Sequence, residues 1–168
     1  MTAKLNWTKE AFSRELVITS NGQSVGRMHC SILERDVEAS LNRTRIQFDV
    51  TGFLIHSVNI HDLNASNAII GTIAFRFGKR AELQLANGDR YTWKRHNILM
   101  RAWDMIREGA TDSADREVVS YEQTQKFFSD HGDISAHTDV PQSDMVILTG
   151  LFVRNYFQRR RRAAAVAS

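Results

Sequence analysis

The sequence predicts a mainly β fold, a sandwich or a barrel, combined with one apolar helix near the C-terminus. Short segments that alternate apolar and polar residues, separated by turn signals, run from Leu5 to His137. The single proline of the chain, Pro141, comes only after these segments. The stretch that follows, Met145–Phe157, has apolar residues around the whole circumference of a helix. Such a helix must be enclosed, either by protein or by lipid.

The first half of the chain contains one strong hairpin signal and several alternating segments. The turn sequence Ser20–Gln23 separates the apolar segments Leu16–Thr19 and Val25–Ser31, which predicts a tight β-hairpin. Apolar residues alternate with polar ones in three further predicted strands, at Val37, Ala39 and Leu41, then Ile46, Phe48 and Val50, then Val58 and Ile60.

A longer strand is predicted over Ile69–Phe77, followed by a turn at Gly78-Lys79 and another strand over Ala81–Leu85. Successive strand residues point to opposite faces of a sheet. The residues of the longer strand that we expect on its core face are Ile73, Phe75 and Phe77.

The turn after Leu85 allows the register of a hairpin to be predicted. A two-residue loop at Asn87-Gly88 would pair Leu83 with Thr92 and break the alternation of apolar residues. A three-residue loop, Ala86–Gly88, pairs Leu83 with Tyr91 instead. It also places the glycine where a positive φ is needed. We therefore predict the three-residue loop.

Further strands are predicted over Ile98–Ile106, Glu117–Tyr121 and Asp133–His137, with a polar loop over Arg107–Asp115. The segment Gln123–Ser129 fits either a helical turn or another strand. The total is about eleven or twelve strands, an arrangement typical of all-β sandwiches and barrels.

The C-terminal helix is predicted over 141–158, within a single domain over 1–162 and before a flexible tail over 163–168. Proline is favoured at a first helical position, and the negative charge of Asp144 suits the first turn. Glycine at position 150 lowers the stability of a helix by about 1 kcal/mol relative to alanine. A close approach of a strand backbone would explain why glycine is present there. The predicted core residues of this helix are Met145, Ile147, Leu148, Gly150, Leu151, Phe152, Tyr156 and Phe157.

Charge is concentrated at the C-terminus. The formal net charge of +3 falls to −2 without the five arginines at Arg154 and Arg159–Arg162. A nucleic-acid partner is therefore not expected, since the basic residues are neither chain-wide nor interleaved with aromatics. One cysteine, Cys30, and an N-terminus without an apolar segment indicate a reducing compartment. We expect a cytoplasmic protein that contacts a membrane at its surface.

Two groups of basic residues are candidates for binding anions. The first follows from the hairpin register and its preceding turn, and it consists of Arg76, Lys79, Arg80, Arg90 and Lys94. The second is the run Arg159, Arg160, Arg161 and Arg162. Both could hold phosphorylated lipid headgroups. The alternatives are a solvated strand surface for the first group and, for the second, charge that complements the end of a helix.

The order of these segments resembles the tubby C-terminal-like superfamily, which includes tubby, the phospholipid scramblases and the LURP-one-related proteins. The resemblance rests on the hairpin ITSNGQSVGRM, the hairpin LANGDRYTWK and the terminal segment SDMVILTGLFVRNYF. It implies a closed barrel of about twelve strands threaded by a hydrophobic C-terminal helix. The lumen of the barrel would then enclose the apolar helix.

The resemblance implies a non-enzymatic module that binds anionic lipid headgroups of the phosphoinositide type, or an acidic partner at a membrane surface. The calcium site of scramblases does not carry over. The acids at Asp130, Asp133, Asp139 and Asp144 lack the spacing of a calcium loop. We expect no metal, no cofactor and no enzymatic activity, because the sequence contains no identifiable set of acid, base and nucleophile.

Two alternatives to this function remain open from the sequence. A tail-anchored membrane protein would place helix 145–157 in lipid, although that helix spans only about 20 Å of the roughly 30 Å hydrocarbon core. A small-ligand barrel would require an open lumen, which a threaded helix would fill.

Overall fold

The structure, a computed structural model, describes residues 1–29, 35–52, 56–126 and 128–168. Cys30, which the sequence suggests as a small core residue, lies outside these ranges, as does the end of the predicted segment Val25–Ser31. The described residues form twelve strands and a C-terminal helix. Every strand pairs antiparallel with its sequence neighbour, and pairing of the first strand with the last closes the barrel. The predicted fold class is confirmed.

The strands are numbered in chain order. Their bounds are β1 Thr2–Glu10, β2 Glu15–Ser20, β3 Gln23–His29, β4 Val37–Leu41, β5 Thr44–Thr51, β6 Ser57–Asp62, β7 Ala68–Arg76, β8 Arg80–Leu85, β9 Arg90–Arg95, β10 Ala102–Arg107, β11 Arg116–Lys126 and β12 Ser129–His137. A short 3₁₀ turn, Asp112–Ala114, interrupts the loop between β10 and β11. The helix α1 spans Ser143–Val166.

Both predicted hairpins are confirmed, and so is the register predicted for the second. Leu83 pairs with Tyr91, and Gly88 has φ +95° in the three-residue loop. The turn Asn21-Gly22 connects β2 and β3 with positive φ at both residues, as a two-residue hairpin requires. Inward-facing residues along the strands are apolar and buried, so the alternation in the sequence corresponds to the lumen and the outer surface.

Helix α1 fills the lumen. The side chains from Met145 to Phe152 are buried, and Phe152 stacks on Phe48 of β5 with ring centroids 4.1 Å apart. Near the end of the buried segment, Phe157 packs against Trp93 of β9 at 5.3 Å. All eight predicted core residues of the helix are buried. The apolar circumference of the helix is therefore enclosed by protein.

The ends of α1 differ from the prediction. The helix begins at Ser143, two residues after Pro141, because Gln142 adopts a left-handed conformation with φ +58°. Asp144 accepts hydrogen bonds from the side-chain amide of Asn42, at 3.1 and 3.2 Å, and so ties the first turn to the barrel rim. The helix also continues through residues 163–166, which were expected to form a tail. Alanine-rich sequence has high helix propensity, which accounts for this extension.

Two strand predictions need correction, and one open alternative is decided. Phe77 lies beyond the end of β7 and is fully exposed, because the turn begins one residue earlier than the alternation suggests. Strand β10 begins at Ala102, and Ile98 is exposed in the preceding loop. For Gln123–Ser129, where a helical turn and a strand were both open, the structure shows strand up to Lys126, the end of β11, and again from Ser129, the start of β12; residue 127 lies outside the described ranges.

Gly150 is required by a side chain rather than by a strand backbone. A Cβ at this position would lie 2.2 Å from the hydroxyl oxygen of Tyr121 and 2.5 Å from its Cζ atom. The Tyr121 hydroxyl donates a hydrogen bond to the carbonyl of Ile147 at 2.8 Å, and Trp93 donates to the carbonyl of Gly150 at 3.1 Å. Two inward-facing aromatics therefore fix the rotation and depth of the helix through its backbone.

Gly150→Ala is expected to destabilise the protein by about 1–3 kcal/mol, because the added methyl group overlaps the Tyr121 ring. The intrinsic preference of helices for alanine acts in the opposite direction by about 1 kcal/mol. Urea denaturation of the parent protein and of the variant measures the difference in their free energies of unfolding. In a Tyr121→Leu background the same substitution should cost less, so the two effects are not additive. Equal or higher stability of Gly150→Ala would contradict this packing.

Candidate anion-binding surface at one mouth of the barrel

The helix gives the barrel two distinguishable mouths. We call the end near Asn42, where α1 begins, the start mouth, and the end where α1 leaves the lumen the exit mouth. Since the strands alternate in direction, the turn at Gly78-Lys79 and the loop over 96–101 lie at the exit mouth. The hairpin loop Ala86–Gly88 lies at the start mouth. The predicted basic residues can therefore be assigned to one mouth or the other.

A row of cations crosses three adjacent strands close to the exit mouth. Arg76 of β7 lies opposite Arg80 of β8, which lies opposite Lys94 of β9. Arg76 is paired with Glu82, with a nitrogen–oxygen distance of 3.0 Å, and this carboxylate raises the pKa of the arginine. Arg80 and Lys94 are exposed on the outer face. The predicted hairpin register placed Arg80 and Lys94 on the outer face, and the observed pairing of these two residues agrees with it.

A second set of cations converges at the rim of the same mouth. Burial lowers the pKa of Lys79, and the positive charges of Arg95 and Arg161 lower it further. Lys79 belongs to the turn between β7 and β8, whereas Arg161 belongs to the last turns of α1. The fold therefore brings together two basic groups that are far apart in the sequence. We call Lys79, Arg80, Lys94, Arg95 and Arg161 the basic rim.

Like charges held close together favour the binding of an anion. An anion near Lys79 would offset the repulsion from Arg95 and Arg161 that lowers its pKa. Two carboxylates lie near these cations: Glu82 pairs with Arg76, and Asp104 of β10 is opposite Lys94 and is hydrogen-bonded to His96. The basic rim thus has the electrostatic character of a surface for phosphate or carboxylate groups.

Arg90 does not belong to this surface. It begins β9 at the start mouth, whereas Lys94 lies close to the other end of the same strand. Four strand residues separate the two positions along the barrel wall, which corresponds to about 13 Å. Arg90 instead adjoins Asp89, which accepts a hydrogen bond from Arg107 at 2.7 Å. Arg90 therefore shares the outer face with Arg80 and Lys94, as the register predicted, but lies toward the other mouth of the barrel.

The arginine run lies on the helix rather than in a tail. Arg160 donates a hydrogen bond to the Tyr156 hydroxyl at 3.2 Å and lies over its ring. Arg161, on another side of the helix, contributes to the basic rim. Arg159 and Arg162 line a groove beside the helix. Continuation of α1 past the barrel therefore distributes these four charges around the exit mouth.

Arg154 was counted in the sequence only as part of the C-terminal charge, and its position in the core was missed. It is 4% exposed, and its guanidinium carbon lies 4.9 Å from the ring of Trp7 and 4.7 Å from that of Trp103. It donates hydrogen bonds to the carbonyl of Met100 and to Oε1 of Gln123, at 3.2 and 2.6 Å. A cation within an otherwise apolar helix was the signal that could have identified it.

The burial of Arg154 has an electrostatic consequence. Loss of solvent lowers the pKa of Arg154 to about 10; Asp130 opposes this shift and Arg162 adds to it. Gln123 also donates a hydrogen bond to Asp130, at 2.9 Å, and thus links the arginine to that carboxylate. Arg154 closes the exit-mouth end of the lumen by stacking and hydrogen bonding. Its charge is compensated mainly by aromatic faces and neutral oxygens.

Arg154→Lys retains the charge but cannot stack as a plane or donate through a fork. We expect it to lower the free energy of unfolding by about 1–3 kcal/mol, because the buried oxygens of Met100 and Gln123 lose a partner. Arg161→Lys, at an exposed position of the same helix, serves as the matched control and should match the parent protein. A stability of Arg154→Lys equal to that of the control, measured by urea denaturation, would contradict the role of Arg154.

The described part of the chain contains neither a candidate metal site nor a candidate membrane-spanning helix. Within residues 1–29, 35–52, 56–126 and 128–168, no group of three or more His, Cys, Asp or Glu residues is arranged to hold a metal ion. In those same ranges no helix is both long enough and apolar enough to cross a bilayer. The residues that a tail anchor would place in lipid are buried in the lumen.

Comparisons with known protein families, with curated proteins and with solved structures found no match.

Proposed function

We propose that the protein is a non-enzymatic, tubby-like barrel that binds an anionic membrane surface through its exit mouth. The observation that carries this proposal is the meeting of Lys79, Arg95 and Arg161 at the rim, beside Arg80 and Lys94. Phosphorylated headgroups, phosphoinositides above all, present several negative charges to such a surface.

The placement of the charges supports a membrane surface as the partner. The basic rim combines residues of a β-turn, two strands and a helix, all at one end of the barrel. A lysine or arginine near an anionic bilayer contributes about 1 kcal/mol of binding, so a group of five is sufficient for reversible attachment. Phe77 and Phe128, both exposed in loops of the same mouth, add apolar side chains that suit an interface.

The fold supports the resemblance to the tubby C-terminal-like superfamily. Twelve antiparallel strands in a closed barrel and a buried C-terminal helix are the arrangement that the resemblance implies. A fold alone does not define a function. The proposal therefore depends on the basic rim, and the family likeness only indicates which class of anion to test first.

Arg80→Glu/Lys94→Glu should weaken binding to vesicles that contain a phosphoinositide. The loss of two cations at about 1 kcal/mol each, together with new repulsion, predicts a decrease of more than about tenfold in the partition coefficient. Co-sedimentation with phosphatidylcholine vesicles, with and without phosphatidylinositol bisphosphate, measures this effect. Binding of the parent protein should also decrease with added salt.

Arg43→Glu/Arg90→Glu is the matched control, because it makes the same change of charge at exposed positions of the start mouth. This variant should bind vesicles nearly as the parent does. If the parent and Arg80→Glu/Lys94→Glu bind vesicles equally, the basic rim is not the binding site. Equal weakening by both variants would show that net charge, rather than the exit mouth, determines binding.

A further inference from the structure

A groove of about 730 Å³ opens at the exit mouth, between the last turns of α1 and the rim of the barrel. Its volume lies within the range of roughly 300–1,000 Å³ typical of small-molecule sites. Most of its exposed lining is apolar, with Val50 of β5 on the barrel side and Ala163 and Val166 on the helix side. The groove lies outside the lumen, which α1 fills, and at the same mouth of the barrel as the basic rim.

The helix side of the groove is one continuous helical face. Tyr156, Arg159 and Arg160 are followed by Ala163 and Val166, a spacing of three and four residues that keeps them on the same side. The extension of α1 beyond the barrel therefore forms this wall. Small residues on that face leave room between the helix and the rim, where larger residues would close the groove.

The charge of the lining is positive. Four arginines line the groove, namely Arg35, Arg159, Arg160 and Arg162. Among the described residues, its lining includes no aspartate or glutamate. Among the described residues, an anion would therefore meet several cations and no carboxylate in the wall of the groove.

The floor of the groove carries a fixed set of polar groups. Tyr156 is 8% exposed, and its ring stacks on Phe75 of β7 with centroids 4.1 Å apart. Its hydroxyl is hydrogen-bonded to Nδ1 of His56 and accepts a hydrogen bond from Arg160 at 3.2 Å. The groove therefore combines apolar walls with polar groups held in place at one point, as sites for amphiphilic ligands do.

We propose that this groove binds a single-chain anionic amphiphile, with its acyl chain against Val50, Ala163 and Val166 and its head group held by Arg159, Arg160 and Arg162. This inference rests on the proposed function, since it adds an apolar binding site to a mouth that faces an anionic lipid surface. The two sites remain distinct: the basic rim needs only charge, whereas the groove needs charge and an alkyl chain in the same molecule.

Calorimetric titration with three soluble probes tests the requirement for both parts of the ligand. Dodecyl phosphate, kept below its critical micelle concentration, carries the chain and the charge; dodecyl maltoside carries only the chain, and inorganic phosphate only the charge. We expect dodecyl phosphate to bind at least about tenfold more tightly than either of the others, with a negative heat-capacity change from apolar burial. Equal binding of inorganic phosphate or of dodecyl maltoside would overturn the proposal.

Two substitutions on exposed alanines of α1 locate the site. Ala163→Trp places a large side chain in the groove, and Ala165→Trp places it on the opposite side of the same helix. The first should weaken dodecyl phosphate binding at least about tenfold, and the second should leave it unchanged. Because both positions are exposed, both variants should keep the parent's melting temperature, which is measured in parallel.

The same variants separate this inference from the proposed function. Ala163→Trp should still co-sediment with phosphoinositide vesicles, because the residues of the basic rim are unchanged. If Ala163→Trp binds dodecyl phosphate as the parent does, the groove is not the site and the inference fails, whatever the vesicle result. If vesicle binding is lost only in Arg80→Glu/Lys94→Glu and amphiphile binding only in Ala163→Trp, both proposals hold independently.

Discussion

The burial of α1 within the barrel is the interaction on which the rest of this structure depends. A closed barrel of twelve strands encloses more space than its own inward side chains fill, and here a helix occupies that space. The helix is apolar on all sides because strands surround it. Tyr121 and Trp93 hydrogen-bond to its backbone, and Gly150 leaves room for the tyrosine ring. Sheet and helix therefore form a single core.

This packing determines what is exposed at each mouth. Asp144 and Asn42 tie the start of the helix to the barrel, and Arg154 closes the other end of the lumen between two tryptophans. The arginines beyond that point leave the barrel on a rigid helix rather than on a tail. Arg161 consequently lies near the turn that contains Lys79, and the same extension forms a wall of the groove. Both proposed binding surfaces thus follow from the position of the helix.

The sequence predicted those parts of the fold that depend on local patterns. Alternation placed most strands, and the position of the aromatics near Gly88 gave the correct register of the β8–β9 hairpin. Phe77 was misplaced because an apolar residue at a strand end looks like the next member of the pattern, although the chain has already turned. The conformation of Gln142, which delays the start of the helix, has no counterpart in the sequence pattern.

The candidate site was predictable only in part. Register alone was enough to place Arg80 beside Lys94 on the outer face. Register alone did not show that Arg90 lies far from Arg80 and Lys94, because that separation depends on which mouth of the barrel each turn occupies. The approach of Arg161 to Lys79 joins segments about half the chain apart, and it follows from the direction in which the helix crosses the lumen. The groove depends on the helical extension past residue 162, which had been expected to be a tail.

The most direct test of this account is the unfolding of a truncated protein. Removal of residues 141–168 takes away the core element of the barrel, whereas removal of residues 159–168 leaves the buried segment of α1 in place. In urea, the shorter truncation should unfold in one cooperative transition like the parent, and the longer one should aggregate or show no cooperative transition. A soluble, cooperatively unfolding protein without residues 141–168 would contradict the claim that the helix is the core of the barrel.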